Sequence, residues 1–256
     1  MIDVFTVRGT GEIWNSPTNM LANVTKRLDP TRFRTRDIQY PASVGPANPE
    51  RNALGPSLAL SRRIGKIELA QRIQMTPNLV GLLGYSLGAY VVSDFLEDLA
   101  AGASYTKGCR VLFAAMIANP RRRRGDSFDG KYLPGFGIAG EHGTWPRLRT
   151  FEVANQHDGI PCCPDGSPLR NLTDGADEFS FAVAGGWTAD LADRIRRNRW
   201  QPTNVDWIRN PIGTWQAYDL AGRLIRGYAI DGQHTTAYVR SGLTQRLADA
   251  INWEVR

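Results

Sequence analysis

The chain has 256 residues, 42% of them hydrophobic and 22% charged, with a formal net charge of +6 and a pI near 9.5. That length can bury one sizeable α/β core, with or without an insertion, and no run approaches the roughly 18 apolar residues of a membrane-spanning helix. The positive balance comes from arginine, concentrated in Arg121 to Arg124 and between Arg194 and Arg199. It fits a nucleic acid, an anionic membrane surface or an acidic glycan without choosing among them, and a solvated face is the simpler reading.

Ile2 to Val7 (IDVFTV) reads as a first strand. It has no charged leader before it, so a product made in the cytoplasm without a secretory signal is expected. VRGTGE (Val7 to Glu12) follows as a glycine-rich turn. It lacks the GK[ST] ending of a P-loop and the GxGxxG of a dinucleotide fold, which argues against nucleotide binding. A helix is predicted from about Pro17 to Leu28 and a strand from Arg34 to Tyr40, and Tyr40 to Pro56, rich in Pro, Ala, Asn and Gly, reads as a loop. Leu60, Ile64 and Ile67 recur at i, i+4, i+7 and predict an amphipathic helix that ends before Pro77.

Leu79 to Leu83 is a short apolar run and predicts a buried strand. Val91, Val92, Phe95, Leu96 and Leu99 then recur at helical spacing. Between strand and helix lies GYSLG, Gly84 to Gly88, in the setting that a GxSxG nucleophile elbow requires. A sharp turn there would expose the hydroxyl of Ser86 while the glycines let strand and helix approach closely. Val111 to Ile117 and Arg149 to Ala154 predict two more strands, and Thr244 to Trp253 a final helix. Strands and helices alternating in this way imply an α/β fold with a parallel sheet covered on both faces. The long glycine-punctuated segment Ala118 to Pro146 leaves the C-terminal end of a strand and should border a ligand site. The four arginines near its start either meet anionic groups or are simply solvated.

A serine hydroxyl needs a histidine base, oriented in turn by a carboxylate. Among His142, His157 and His234, only His234, in DGQHTTAY, follows all the predicted strands, as the Ser, acid, His order of α/β-hydrolases demands. HDGIPCCPDG offers two acids, Asp158 and Asp165, and Asp158, nearer the strand end and followed by Gly and Ile, is the favoured one. Backbone N–H groups of Thr10, in the loop after the first strand, and of Leu87, next to the serine, are candidate oxyanion donors. Cys109, Cys162 and Cys163 lack zinc spacing. Reduced thiols are expected, with one bridge from Cys109 to the Cys162/Cys163 pair as the alternative. Neither a metal nor a cofactor is expected.

Together VRGTGE, GYSLG, ANPRRRRG, GFGIAG, VANQHDG and the late His234 resemble the lysin B esterases of mycobacteriophages, and the first two resemble the oxyanion loop and elbow of cutinase-type esterases. The resemblance implies a cutinase-like α/β-hydrolase domain over residues 1–175 and 229–256, with a helical insertion at 176–228 between acid and base. It implies Ser86 as nucleophile, His234 as base and Thr10 as oxyanion donor. In cutinase-type enzymes a cysteine usually follows the acid by three residues, whereas here Gly159, Ile160 and Pro161 precede Cys162, one residue longer, so the match to Asp158 is imperfect and Asp165 stays open. The implied activity is hydrolysis of the ester joining mycolic acids to arabinogalactan, at the mycobacterial cell envelope, after release from the host cytoplasm during lysis. A monomer whose partners are a lipid ester and the envelope surface, and not nucleic acid, goes with that reading. A broader cutinase or lipase, or a non-catalytic fold that binds lipid or glycan, are the alternatives. In the insertion, Trp187, Leu191 and Ile195, and then Trp215, Tyr218 and Ile225, fall at helical spacing, with a break at Asn210 and Pro211.

Overall fold

Five short segments form strands, each sending alternate side chains to opposite faces of one sheet. They are β1 (Ile2–Val7), β2 (Phe33–Asp37), β3 (Leu79–Tyr85), β4 (Phe113–Ile117) and β5 (Arg149–Val153). The computed structural model describes residues 1–45, 47–52, 54–170 and 211–255. Among these the strands pair in the order β2-β1-β3-β4-β5, and every pair is parallel.

The helices are α1 (Ala22–Thr25), α2 (Leu58–Gln74), α3 (Leu87–Ala100), α4 (Pro211–Ala229), α5 (Thr236–Arg240) and α6 (Leu243–Glu254). Phe5, Val7, Val80, Leu82, Ala114 and Met116 share one apolar cluster with α2 and α3. Ile2, Val4, Leu83, Tyr85, Phe113, Ile117 and Phe151 share another with α1, α5 and α6. Both faces of the sheet are therefore covered, which is why β1, β3 and β4 read as nearly continuous apolar runs, while the edge strand β2 is mostly polar and exposed. No described helix is long and apolar enough to cross a membrane.

Three predicted elements differ from what formed. The helix expected over Pro17 to Leu28 shrinks to the single turn α1 within a run of turns. The strand expected to reach Tyr40 ends at Asp37. In α2 the helix is present but its face is reversed, since Leu60, Ile64 and Ile67 are exposed while Ser61, Gly65, Leu69 and Ile73 are buried. Gly65 sits against Val91 and Tyr40, where a β-carbon would come within 3.0 and 3.1 Å, and Ser61 Oγ accepts the N–H of Ser43. Close approach of α2 to α3 selects small residues on the packed side, and that selection outweighs the apolar stripe. Residues 176–210 of the expected insertion, with Trp187, Leu191, Ile195, Trp200 and Trp207, lie outside the described residues. Its last part, 211–228, falls within α4, and the expected break at Asn210 and Pro211 lies at the edge of the described residues.

The strand order places the site. The chain moves from β1 outward to β2 and then crosses back to β3 on the other side of β1. The loops that leave β1 and β3 diverge at that switch point, which opens a crevice at the C-terminal ends of the strands.

Candidate active site

Ser86 is the single residue between β3 and α3, the N-cap of the helix, with φ 53° and ψ −117°, a conformation disfavoured for any residue but glycine. Its surroundings hold it there. The Ser86 N–H donates to the Ile117 carbonyl at 2.9 Å, and the Ser86 carbonyl accepts from Tyr90 N–H at 3.0 Å. The flanking glycines are required by contact: a β-carbon on Gly88 would lie 1.8 Å from the Val7 carbonyl oxygen, and one on Gly84 would lie 2.7 Å from Ala89 Cα. Strain of this kind, imposed by packing on both sides, is the hallmark of a strand-turn-helix elbow.

The structure brings three predicted side chains into one chain of hydrogen bonds. Ser86 Oγ lies 2.8 Å from His234 Nε2, and His234 Nδ1 lies 2.7 Å from Asp158 Oδ2. A carboxylate only accepts, so Nδ1 carries the ring proton and Nε2 is left to accept from the serine hydroxyl. Asp158 is fully buried, and its other oxygen accepts the N–H of Ile160 at 3.0 Å. His234 is 4% exposed and lies between two rings, Tyr85 at 5.5 Å and Tyr228 of α4 at 4.7 Å between centroids. The Tyr85 hydroxyl donates to the His234 carbonyl at 2.8 Å. Asp165 stands elsewhere, exposed and ion-paired with Arg124 at 2.5 Å, so of the two acids left open by the sequence Asp158 is the one beside His234.

Thr10, Ser86 and Leu87 line one cavity of about 590 Å³ together with Leu58, Tyr90, Phe136, Ile138, Ile160 and Tyr228. The N–H groups of Thr10 and Leu87 have no acceptor among the described residues. Thr10 is carried by a turn fixed from beneath by two residues that the sequence did not single out. Glu12 accepts the N–H of Gly9 at 2.7 Å and of Met20 at 2.6 Å, and its burial pushes its pKa up despite those bonds. The buried Arg8 donates to the carbonyls of Glu12, Ile38 and Tyr40, while the Tyr40 hydroxyl donates back to the Arg8 carbonyl at 2.5 Å.

The arginine run is neither one solvated face nor one anion site. Arg121 pairs with Asp94 at 3.2 Å and Arg124 with Asp165. Arg122 is wholly buried, and its guanidinium donates to the carbonyls of Arg123, Asp126, Pro134, Gly135 and Pro161 at 2.8 to 3.1 Å. It ties the loop after β4 to the segment that carries Asp158, and so shapes the cavity wall at Phe136 and Ile138. His142 is used in the same loop as a buried clamp, with Nε2 3.0 Å from Glu152 and its ring stacked on Trp145 at 4.2 Å. His157 is exposed, against Gln156. All three cysteines are buried free thiols, which overturns the bridge held open as an alternative. Among the described residues no cluster of His, Cys, Asp and Glu could hold a metal ion.

No family model matches the sequence, and no curated protein matches it. Solved structures do. Lysin B from mycobacteriophage D29 is 20% identical, with 95% of this chain covering 98% of that one at a TM-score of 0.59. The catalytic core domain of acetyl xylan esterase from Trichoderma reesei is 19% identical over 75% of this chain and 94% of that one, at a TM-score of 0.48. A cutinase-like protein from Cryptococcus sp. is 20% identical over 63% and 78%, at 0.45. With five parallel strands among the described residues, helices on both faces and a sharp turn at Ser86 after β3, the chain has an α/β-hydrolase fold similar to that of lysin B from mycobacteriophage D29.

Proposed function

We propose that this protein is a serine esterase in which Ser86 is the nucleophile, His234 the general base and Asp158 the residue that orients it. The observation that carries the reading is the unbroken path from Ser86 Oγ through the His234 ring to Asp158, beside a cavity of mixed polar and apolar lining. His234 Nε2 takes the hydroxyl proton as Ser86 Oγ bonds to the ester carbonyl carbon, and the N–H groups of Thr10 and Leu87 meet the oxyanion. Collapse of the tetrahedral species breaks the bond to the leaving alcohol, which takes the proton back from His234. Water then enters by the same steps in reverse roles and frees the acid. The imidazolium formed on the way is stabilised by the buried Asp158 carboxylate.

For the substrate we propose the ester between mycolic acids and arabinogalactan. The motif set shared with the lysin B esterases supports this, as does the size of the cavity, which exceeds what an acetyl group needs. The protein would then be a phage lysis factor, made in the host cytoplasm and acting as a monomer on the cell envelope once released. A broader lipolytic esterase is the second reading, favoured by Leu58, Phe136, Ile138 and Ile160 on the cavity wall, which suit any long acyl chain.

Three assays test these in turn. Fluorophosphonate should label wild-type protein and fail on Ser86→Ala, and p-nitrophenyl ester turnover should fall by about 10³-fold or more in Ser86→Ala and in His234→Ala. Persistence of turnover in Ser86→Ala would overturn the esterase reading. Purified mycolyl arabinogalactan should release free mycolic acids, and none released by an enzyme active on soluble esters would leave the broader reading.

A further inference from the structure

Asp158 Oδ2 receives two donors. Besides His234 Nδ1 at 2.7 Å, the hydroxyl of Tyr238 lies 2.8 Å from the same oxygen. Tyr238 is fully buried in α5, and its oxygen accepts the backbone N–H of Asn155 at 3.2 Å, so its one proton is directed at Asp158. Asn155 also holds the residue before the histidine, since its side-chain amide donates to the carbonyl and side-chain oxygens of Gln233 at 2.9 and 2.8 Å. Four positions separate His234 from Tyr238, so one short segment delivers both donors to one carboxylate. Burial pushes the Tyr238 phenol well above its ordinary pKa, which keeps it a neutral donor throughout the range in which an imidazole titrates.

We propose that Tyr238 is a positioning residue of this site: its hydroxyl pins Asp158 Oδ2 and draws negative charge from it, which sets both the orientation and the basicity of His234. The inference rests on Ser86 and His234 acting as nucleophile and base. Other ionisable groups facing the pair are Tyr85 from β3, with Glu12 of the β1 loop against it, Tyr228 from α4, and Cys162 from the loop after β5, touched by Arg122. Burial raises the pKa of Tyr85, Tyr228 and Cys162, the last two to about 12, so none of these three ionises near neutrality.

Tyr238→Phe removes one oxygen and tests this. With only three histidines in the chain, the His234 ring can be titrated by NMR in ¹³C-histidine-labelled protein, without any turnover. The midpoint should rise by roughly half to one pH unit, because a carboxylate that has lost its second donor holds an imidazolium more strongly. The acid limb of kcat/KM should move the same way, and kcat should fall about tenfold with KM within about twofold. Site-specific 3-fluorotyrosine at 238 keeps the shape while strengthening the donor, and it should move the midpoint down. A midpoint that stays put in both proteins overturns the proposal, and reduced thermal stability with no such displacement marks Tyr238 as packing only. Failure of the esterase reading shows separately, as turnover that survives Ser86→Ala, while the His234 titration still decides the role of Tyr238.

Discussion

Replacing Arg122 by Met should be among the most damaging single changes outside the catalytic residues, and its cost can be worked from contacts. The guanidinium serves five carbonyls, of which only that of Arg123 keeps another donor among the described residues, the N–H of Asp126. Each buried acceptor left unmade costs about 1–3 kcal/mol, and the four orphaned oxygens would sum to well above the net effect because the loop relaxes and some reach water. The relief of desolvating a buried cation offsets part of the remainder. A net loss of about 4 kcal/mol follows, against a total stability of about 5–15 kcal/mol for a domain. Arg122→Lys keeps the charge but offers three donors to five acceptors in the wrong geometry, and should cost about 2 kcal/mol. Urea unfolding read by tryptophan fluorescence gives both values, with the midpoint falling and the slope unchanged. If Arg122→Met unfolds within about 1 kcal/mol of wild type, the account of this residue as the tie between the two loops is wrong.

Further outcomes follow from other contacts. Asp158→Asn should lower ester turnover by several hundredfold or more, whereas Asp165→Asn, at an exposed ion pair, should leave it within about twofold. Gly88→Ala should abolish soluble expression or cost more than about 3 kcal/mol, because the added methyl would overlap the Val7 carbonyl; normal stability would contradict the packing described for the elbow. Asp3 is held at about 2, its burial outweighed by bonds from Arg34, Thr76 and Asn78. A pKa depressed in the folded state stabilises above the unfolded value and is lost as pH falls through the folded one. Asp3→Asn should therefore cost about 2 kcal/mol near neutrality, allowing for the half-exposed Arg34, with the gap closing between about pH 4 and pH 2 in denaturation experiments. His142 has the opposite sign. Burial pushes its pKa down, but Glu152 outweighs burial, with the Gly143 carbonyl and Asp126 adding to it, so the pKa is raised. Its contribution is complete below about pH 6.5 and lost as pH rises through the folded value, so His142→Gln should destabilise more at about pH 6 than at about pH 9.

What could be read from sequence, and what could not, divides along a physical line. Strands that are buried on both faces announce themselves as apolar runs, and the glycines of GYSLG mark close contacts by the very lack of a side chain. Ser86 and His234 were legible because a motif and the scarcity of histidine each leave few choices. The sequence favours Asp158 over Asp165 only by its place nearer the strand end and the Gly and Ile after it, because both follow β5 and what distinguishes them lies in Tyr238 and His234, about eighty residues away. Arg122 and Arg8 were opaque for another reason. Their partners are backbone carbonyls, and a carbonyl leaves no trace in the identity of the residue that bears it. The reversed face of α2 shows the limit of apolar periodicity, since Ser61 and Gly65 are buried for their size and Leu60, Ile64 and Ile67 are left outside.

Segments more than two hundred residues apart are stitched together: Arg32 donates to the carbonyls of Asn252 and Val255, and the Asn252 side chain accepts from Asp29 N–H and donates to the Arg27 carbonyl. During synthesis the elbow is therefore complete long before the imidazole it faces has been made, and α6, which closes over the same face, emerges later still. In a nascent chain the hydroxyl of Ser86 precedes its imidazole partner by 148 residues. On the proposed reading, no ester can be cleaved while the elbow is still waiting for its base.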